Sequence, residues 1–371
     1  PEPGSRSGGR SPGTNRAARH GAPCAARHRT PGDAGARDRR TSPSGDGPPG
    51  HGPSDHRAAR VDHGRQLTGM ATVEDHRFGA MGTRAHIRTV GAAPAVAHQA
   101  RERLANLEAR WSRFRPGSDI SELNRESGRW VPVAWETALL LERAKAAAAA
   151  TDGRFDPTVG AALVAHGYDR TFADVPARAV AVLPAPVVDG AWPGIEIDHD
   201  AGMASIPEGT VFDPGGIGKG VAADLVATEL ADQADGILVN LGGDLRACGA
   251  AADPAGWVIS IDDPRHDDHE LARLAVPGGA VATSSQLVRR WETGAGPAHH
   301  IIDPRTGRPA ASDLAAVTVV AAEAWWAEAQ ATALMVSGRR GLVDLDPSVE
   351  ALLVGLDGSR VATPGLAAVL P

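Results

Sequence analysis

The stretch Val211-Phe-Asp-Pro-Gly-Gly-Ile-Gly-Lys-Gly-Val-Ala-Ala-Asp224 sets Gly215, Gly216, Gly218 and Gly220 around Lys219. The lead-in has strand character and carries Asp213. Val221, Leu225, Val226 and Leu230 then recur at helical spacing, so the segment predicts strand, glycine loop and helix. Glycines let a backbone come close to a ligand, and the free N–H groups at a helix start face an anion. Lys219 sharpens that reading, because the chain holds only one other lysine, Lys145. A compact ammonium in such a loop would meet a phosphate oxygen or a flavin carbonyl. The pattern is not a Walker A loop, since Asp213 stands where the first glycine belongs and Gly220 replaces Ser/Thr; nor is it G-x-G-x-x-G. On these residues alone two readings stay open: an anion held near a helix start, or a glycine turn packing a helix on a strand.

Outward from this loop the chain separates into two characters. Upstream, His76 to Val90 reads as a strand pair or a strand with a bend, with Met81-Gly82-Thr83 at its turn or edge. Residues 93–114 follow as a helix on Val96, Ala100, Leu104, Leu107, Trp111 and Phe114, and residues 135–151 as a second helix on Leu139, Leu140 and Leu141. Residues 170–194 read as a Pro-rich connection. Ile195–Ile197 and Ala204–Ile206 read as a strand pair. Downstream, strands dominate: residues 236–241, 244–248, 257–261, 270–276, 280–283 and 315–320. A helix over 323–337 turns Trp326, Ala329, Ala333 and Val336 inward, and a hairpin closes through Asp357-Gly358. Strands and helices mix without strict βαβ alternation, which predicts α+β with mixed or antiparallel sheets and flanking helices.

Residues 1–69 are unlike the rest. They contain no Phe, Trp, Tyr or Ile and are dominated by Pro, Gly, Ser, Arg and Asp, a composition that cannot bury enough apolar surface to offset its ordering entropy. They are expected to be a disordered tail or translated upstream sequence ahead of Met70, the first methionine, with one domain over 70–371. Their 12 Arg against 6 Asp/Glu give +6, so the −7 of the whole chain leaves −13 on residues 70–371. An acidic body argues against nucleic acid as a partner, and an anionic ligand would need a local cation or a metal. The two cysteines, Cys24 and Cys248, show no zinc-type spacing. No apolar run is long enough for membrane insertion and no signal peptide or lipobox is seen, so the expectation is a cytoplasmic protein.

Several segments, in order, resemble the FAD:protein FMN transferases, the ApbE-like flavin transferases. They are Met81-Gly82-Thr83, Ser112 to Asn124, Gly153 to Gly160, Asp213 to Asp224, Val239 to Asp244, Thr283-Ser284, His300 to Gly307 and Ala327 to Leu334. The resemblance implies an α+β fold of two interleaved subdomains. It also implies binding of FAD and Mg²⁺, and transfer of the FMN half to a Ser/Thr hydroxyl of an acceptor protein as a phosphoester, with AMP leaving. Hydrolysis of FAD to FMN and AMP by the same site, and FAD binding without catalysis, are the alternatives.

The resemblance also assigns roles. His300, before Ile-Asp-Pro, would be the base for the incoming hydroxyl, which suits an imidazole. Glu328 and Thr332, four apart on one helix face, would hold the metal with the carbonyl of Gly218. Met81, Phe114, Arg154, Phe155, Asp156, Asp213, Lys219, Thr283 and Ile302 would line the FAD pocket. Asp156 and Asp213 could bond adenine or ribose, or orient Lys219; the other reading of each carboxylate is a turn cap. The chain departs from the family pattern at Glu328, usually Asp; at Gly218, usually Ala; at Ser285, usually Gly; and near Phe114, often Tyr.

Overall fold

The computed structural model describes residues 71–175, 190–266 and 269–369. The expectation for residues 1–69 and most of that for the Pro-rich connection lie outside them. The described residues from Thr72 onward fall within one compact unit.

An eight-stranded sheet organises this unit. Its order is Val73–Ala80, Thr83–Val90, Gly236–Leu241, Asp244–Gly249, Gly279–Ser285, Leu314–Ala321, Glu350–Gly355 and Arg360–Ala362. Every neighbouring pair in it is antiparallel. The first two strands turn at Met81-Gly82 with φ of 52° and 66°, the positive pair that a two-residue hairpin turn demands. For a methionine that conformation costs about 1–2 kcal/mol. The Met81 amide donates to Glu108 Oε2 at 2.9 Å, which ties the turn to the helix Ala95–Trp111.

The sheet is a middle layer, because its strands are apolar on both faces. On one face Ile87, Val239 and Leu241 join a core with Leu104, Leu107 and Trp111 of the helix Ala95–Trp111 and Val221 and Val226 of the helix Gly218–Leu230. On the other, Val90, Leu238, Ala247 and Val281 pack under Trp257 and Ile259, which belong to the separate hairpin Trp257–Asp262 and Glu270–Val276. The helix Ala324–Ser337 lies against the helix Gly218–Leu230 and the strands Gly279–Ser285 and Leu314–Ala321. It is buried almost all round. The expected inward stripe therefore holds at Ala329, Ala333 and Val336, but Trp326 is only half-buried. A helix enclosed on several sides needs no single apolar stripe. A hairpin that the sequence reading missed, Arg290–Thr293 with Gly296–His299, buries Trp291.

The two helices meet at a glycine. A Cβ on Gly220 would lie 2.4 Å from the Ala324 carbonyl oxygen, so no larger residue fits without moving one helix. One turn on, Asp224 accepts from the amides of Ala324 and Trp325, both at 2.9 Å. A carboxylate from one helix thus caps the first turn of another, where Glu323 supplies no cap of its own. Burial pushes the Asp224 carboxyl up to about 7, against the pull of those amides and of Arg246. Asp224→Ala is expected to lower folding stability by about 1–3 kcal/mol, read as a lower urea midpoint at unchanged m. Asp224→Asn should recover part of the loss, since its carbonyl can still accept.

Candidate active site

A cleft of about 490 Å³ opens beside the glycine loop, within the ~300–1,000 Å³ typical of small-molecule sites. Every residue the resemblance singled out lines it: His300 and Ile302; Met81, Phe114, Arg154 and Phe155; Asp156, Asp213, Gly218 and Lys219; Thr283, Glu328 and Thr332. These come from segments as far apart as a hairpin turn, two helix starts, a strand end and a buried helix face.

At the glycine loop, the Lys219 ammonium contacts two carboxylates. It bonds Asp244 Oδ2 at 2.6 Å and Glu328 Oε1. Glu328 is 2% exposed and also accepts from the Gly220 amide at 2.7 Å through its other oxygen. Burial pushes the Glu328 carboxyl up, opposed by Lys219. Burial alone would lower the lysine, but the two acids together hold its pKa above the ordinary value. Asp244 further accepts from the Thr283 amide at 3.2 Å, which links the loop to the strand Gly279–Ser285. Thr332 stands near the Ser284 hydroxyl at 3.4 Å, and a Cβ on Gly216 would reach 3.3 Å from Thr332 Oγ1. The glycine loop therefore passes directly over the helix face that carries Glu328 and Thr332.

His300 follows the hairpin strand Gly296–His299. Burial, then chiefly the nearby Arg289 and Lys219 cations, pushes its pKa down to about 3, so its ring is neutral at neutral pH. Its Nδ1 is buried with no hydrogen-bond partner. The adjacent His299 is structural: its Nε2 pairs with the Ala310 carbonyl and its Nδ1 accepts from the Ile301 amide.

The far wall is aromatic. Phe114 meets Tyr168 at 5.7 Å between ring centroids, and Tyr168 meets Phe172 and Trp291 at 6.2 and 5.6 Å. The Arg113 guanidinium lies 4.2 Å from the Phe114 centroid and 4.8 Å from that of Tyr168. Arg113 also pairs with Asp213, both 8% exposed at the side chain. This corrects one expectation: Asp213 does not orient Lys219, but holds Arg113 and accepts from the Gly215 amide at 2.7 Å. Asp156 is a turn cap, accepting from the Thr158 amide and hydroxyl through Oδ1, yet its Oδ2 is buried with no partner. Burial raises its pKa, and a ligand N–H or O–H would satisfy that oxygen. Arg154 lines the cleft while bonded to Asp344 at 2.6 Å.

Sequence reasoning missed Arg113, Asp244 and Arg289 as cleft residues. Arg113 and Asp244 lie within segments carrying the resemblance, and Lys219, one of only two lysines and a cation in need of carboxylates, was the available signal.

The ApbE family model matches residues 81–353, nearly the whole span from the Met81 turn to the last long strand. The chain belongs to the ApbE family. It is 32% identical over 312 residues to the FAD:protein FMN transferase of Treponema pallidum, covering 77% of this chain and 85% of that protein. The Vibrio cholerae FAD:protein FMN transferase is 30% identical over 249 residues, 64% of this chain and 72% of that one. The crystal structure of the ApbE protein from Thermotoga maritima superposes with a TM-score of 0.71 at 27% identity, covering 81% of this chain and all of that one. The flavin transferase ApbE from Vibrio cholerae gives 0.67 at 25%, again over 81% of this chain.

The departures from the usual ApbE pattern have visible accommodations. The Ser285 hydroxyl donates to the Ala315 carbonyl at 2.8 Å on the neighbouring strand. A Cβ on Gly218 would touch only Pro214 Cβ, at 3.3 Å. Glu328 reaches both Lys219 and the Gly220 amide. Among the described residues no group of three or more His, Cys, Asp or Glu could by itself hold a metal. A hard cation bound beside substrate phosphates needs only one or two carboxylates and other oxygens. The Glu328 carboxylate and the Thr332 hydroxyl supply donors of that kind, so the donor chemistry fits Mg²⁺.

Proposed function

We propose that this chain is an FAD:protein FMN transferase that moves FMN from FAD to a Ser/Thr hydroxyl of an acceptor protein. The observation that carries the reading is the convergence on one cleft of a neutral imidazole with an unpartnered Nδ1 and a loop cation held by two buried acids.

The dinucleotide lies with its pyrophosphate at the glycine loop, where Lys219 and the following helix start favour anionic oxygens. Its aromatic rings meet the Phe114 and Tyr168 wall, and Asp156 Oδ2 accepts from the ligand. The acceptor oxygen attacks the FMN phosphorus, and the bond from that phosphorus to the bridging oxygen breaks. AMP departs with the bonding electrons, and the hydroxyl proton passes to His300 Nδ1. Such in-line transfer asks the protein mainly for positioning and charge neutralisation. Glu328, Thr332 and the Gly218 carbonyl would hold Mg²⁺, which supplies Lewis-acid neutralisation of the phosphate oxygens when bound.

The test is a product balance. Incubation with FAD, Mg²⁺ and an acceptor should yield AMP and flavin-labelled acceptor in equal amounts. FMN and AMP appearing at the same rate with and without acceptor would make the protein an FAD pyrophosphatase. Bound FAD that stays intact under both conditions would make it a flavin-binding protein only.

A further inference from the structure

We propose that Arg289 is the group that grips the pyrophosphate of the bound dinucleotide; this rests on the transferase reading above. The cleft is acidic. Its carboxylates are Glu108, Asp156, Asp213, Asp244, Asp262 and Glu328, against the cations Arg113, Arg154, Lys219 and Arg289. Three of those four cations are engaged by acids: Arg113 by Asp213, Arg154 by Asp344, and Lys219 by both Asp244 and Glu328. Arg289 has no acidic partner among the described residues. Its guanidinium is held only by neutral oxygens, with Nη1 at 3.4 Å from the Tyr168 hydroxyl and Nη2 at 3.4 Å from the Gly82 carbonyl.

Those two contacts place it between the aromatic wall and the Met81-Gly82 turn. It is also near enough to Lys219 and His300 for its charge to act on both. A dianionic bridge entering an acidic cleft meets net repulsion unless an unneutralised cation lies in its path. A guanidinium matches phosphate oxygens two at a time. Long, neutral tethers cost little to exchange for phosphate oxygens, whereas the ion pairs of the other three cations would have to be broken.

The full chain, wild type and variants, is titrated with FAD and with riboflavin, which lacks the phosphates, and assayed for AMP release with FAD and Mg²⁺. Arg289→Gln is expected to weaken FAD binding about 10- to 100-fold while changing riboflavin binding less than about threefold. Arg289→Lys should recover part of the FAD affinity, because the charge remains but the fork is lost. Inorganic pyrophosphate should compete with FAD on the wild type and much less on Arg289→Gln. Equal losses for FAD and riboflavin, or FAD affinity and AMP release within threefold of wild type, would overturn the assignment. Should Arg289→Gln fail to fold, the wild-type comparison remains: a salt dependence no steeper for FAD than for riboflavin overturns it. Absence of AMP release from the wild type would instead strike the transferase reading.

Discussion

His300→Ala is expected to reduce acceptor labelling by about 10²–10⁴-fold, the range supplied by a positioned general base, while FAD affinity changes little. His300 lines the cleft and its buried Nδ1 has no partner, so its removal deletes a proton acceptor and breaks no side-chain bond made through that atom. The pH behaviour follows from the depressed pKa. A histidine held down to about 3 is in its basic form throughout the working range. In the free protein its protonation begins only as pH falls toward that value, far below the ordinary 6.5. The profile of kcat/KM should therefore show no acid limb from His300 between pH 5 and 8. A dinucleotide bound as proposed would bring negative charge beside Arg289 and Lys219, whose cations help to depress the ring, and would raise its pKa. An acid limb should then enter the kcat profile at higher pH than in kcat/KM. Labelling by His300→Ala at the wild-type rate would remove the imidazole from the chemistry.

Glu328→Gln should have the second large effect. The carboxylate is buried and bonds both Lys219 and the Gly220 amide, so the neutral substitute breaks a buried charge pair and weakens the donor proposed above for Mg²⁺. Labelling is expected to fall about 10²–10³-fold, as for loss of one electrostatic group in a dry site. The Mg²⁺ concentration for half-maximal activity should rise. Chelation of divalent cations should abolish wild-type labelling and be reversed by added Mg²⁺. Glu328→Asp keeps the charge on a shorter arm, so it should stay Mg²⁺-dependent while losing much of the Gly220 contact. An unaltered Mg²⁺ requirement in Glu328→Gln would exclude this carboxylate as a ligand.

The parts of the fold with a local period were legible. Val96, Ala100, Leu104, Leu107 and Trp111 recur at helical spacing and all are buried. The Met81-Gly82 turn, the two helix starts and the closing hairpin likewise leave their own chemistry in adjacent residues. The cleft was legible through the family resemblance, because each of its segments carries a short recognisable motif. What stayed hidden were pairings across long sequence separations. Asp224 caps a helix 100 residues later; Arg113 meets an aspartate beside a distant glycine loop; Lys219 draws two acids from a strand and a helix. No periodicity records such contacts, since each is fixed only when the sheet and both helices have assembled. Arg289 sits on the turn between the strands Gly279–Ser285 and Arg290–Thr293, where composition offers no distinction from any exposed arginine.

The most direct measurement is intact-mass and peptide mapping of an acceptor protein after incubation with this chain, FAD and Mg²⁺. The account predicts a single FMN joined through phosphate to one Ser or Thr, absent when FAD, Mg²⁺ or the His300 imidazole is withheld. An acceptor of unchanged mass, with FMN and AMP free in solution, would contradict it.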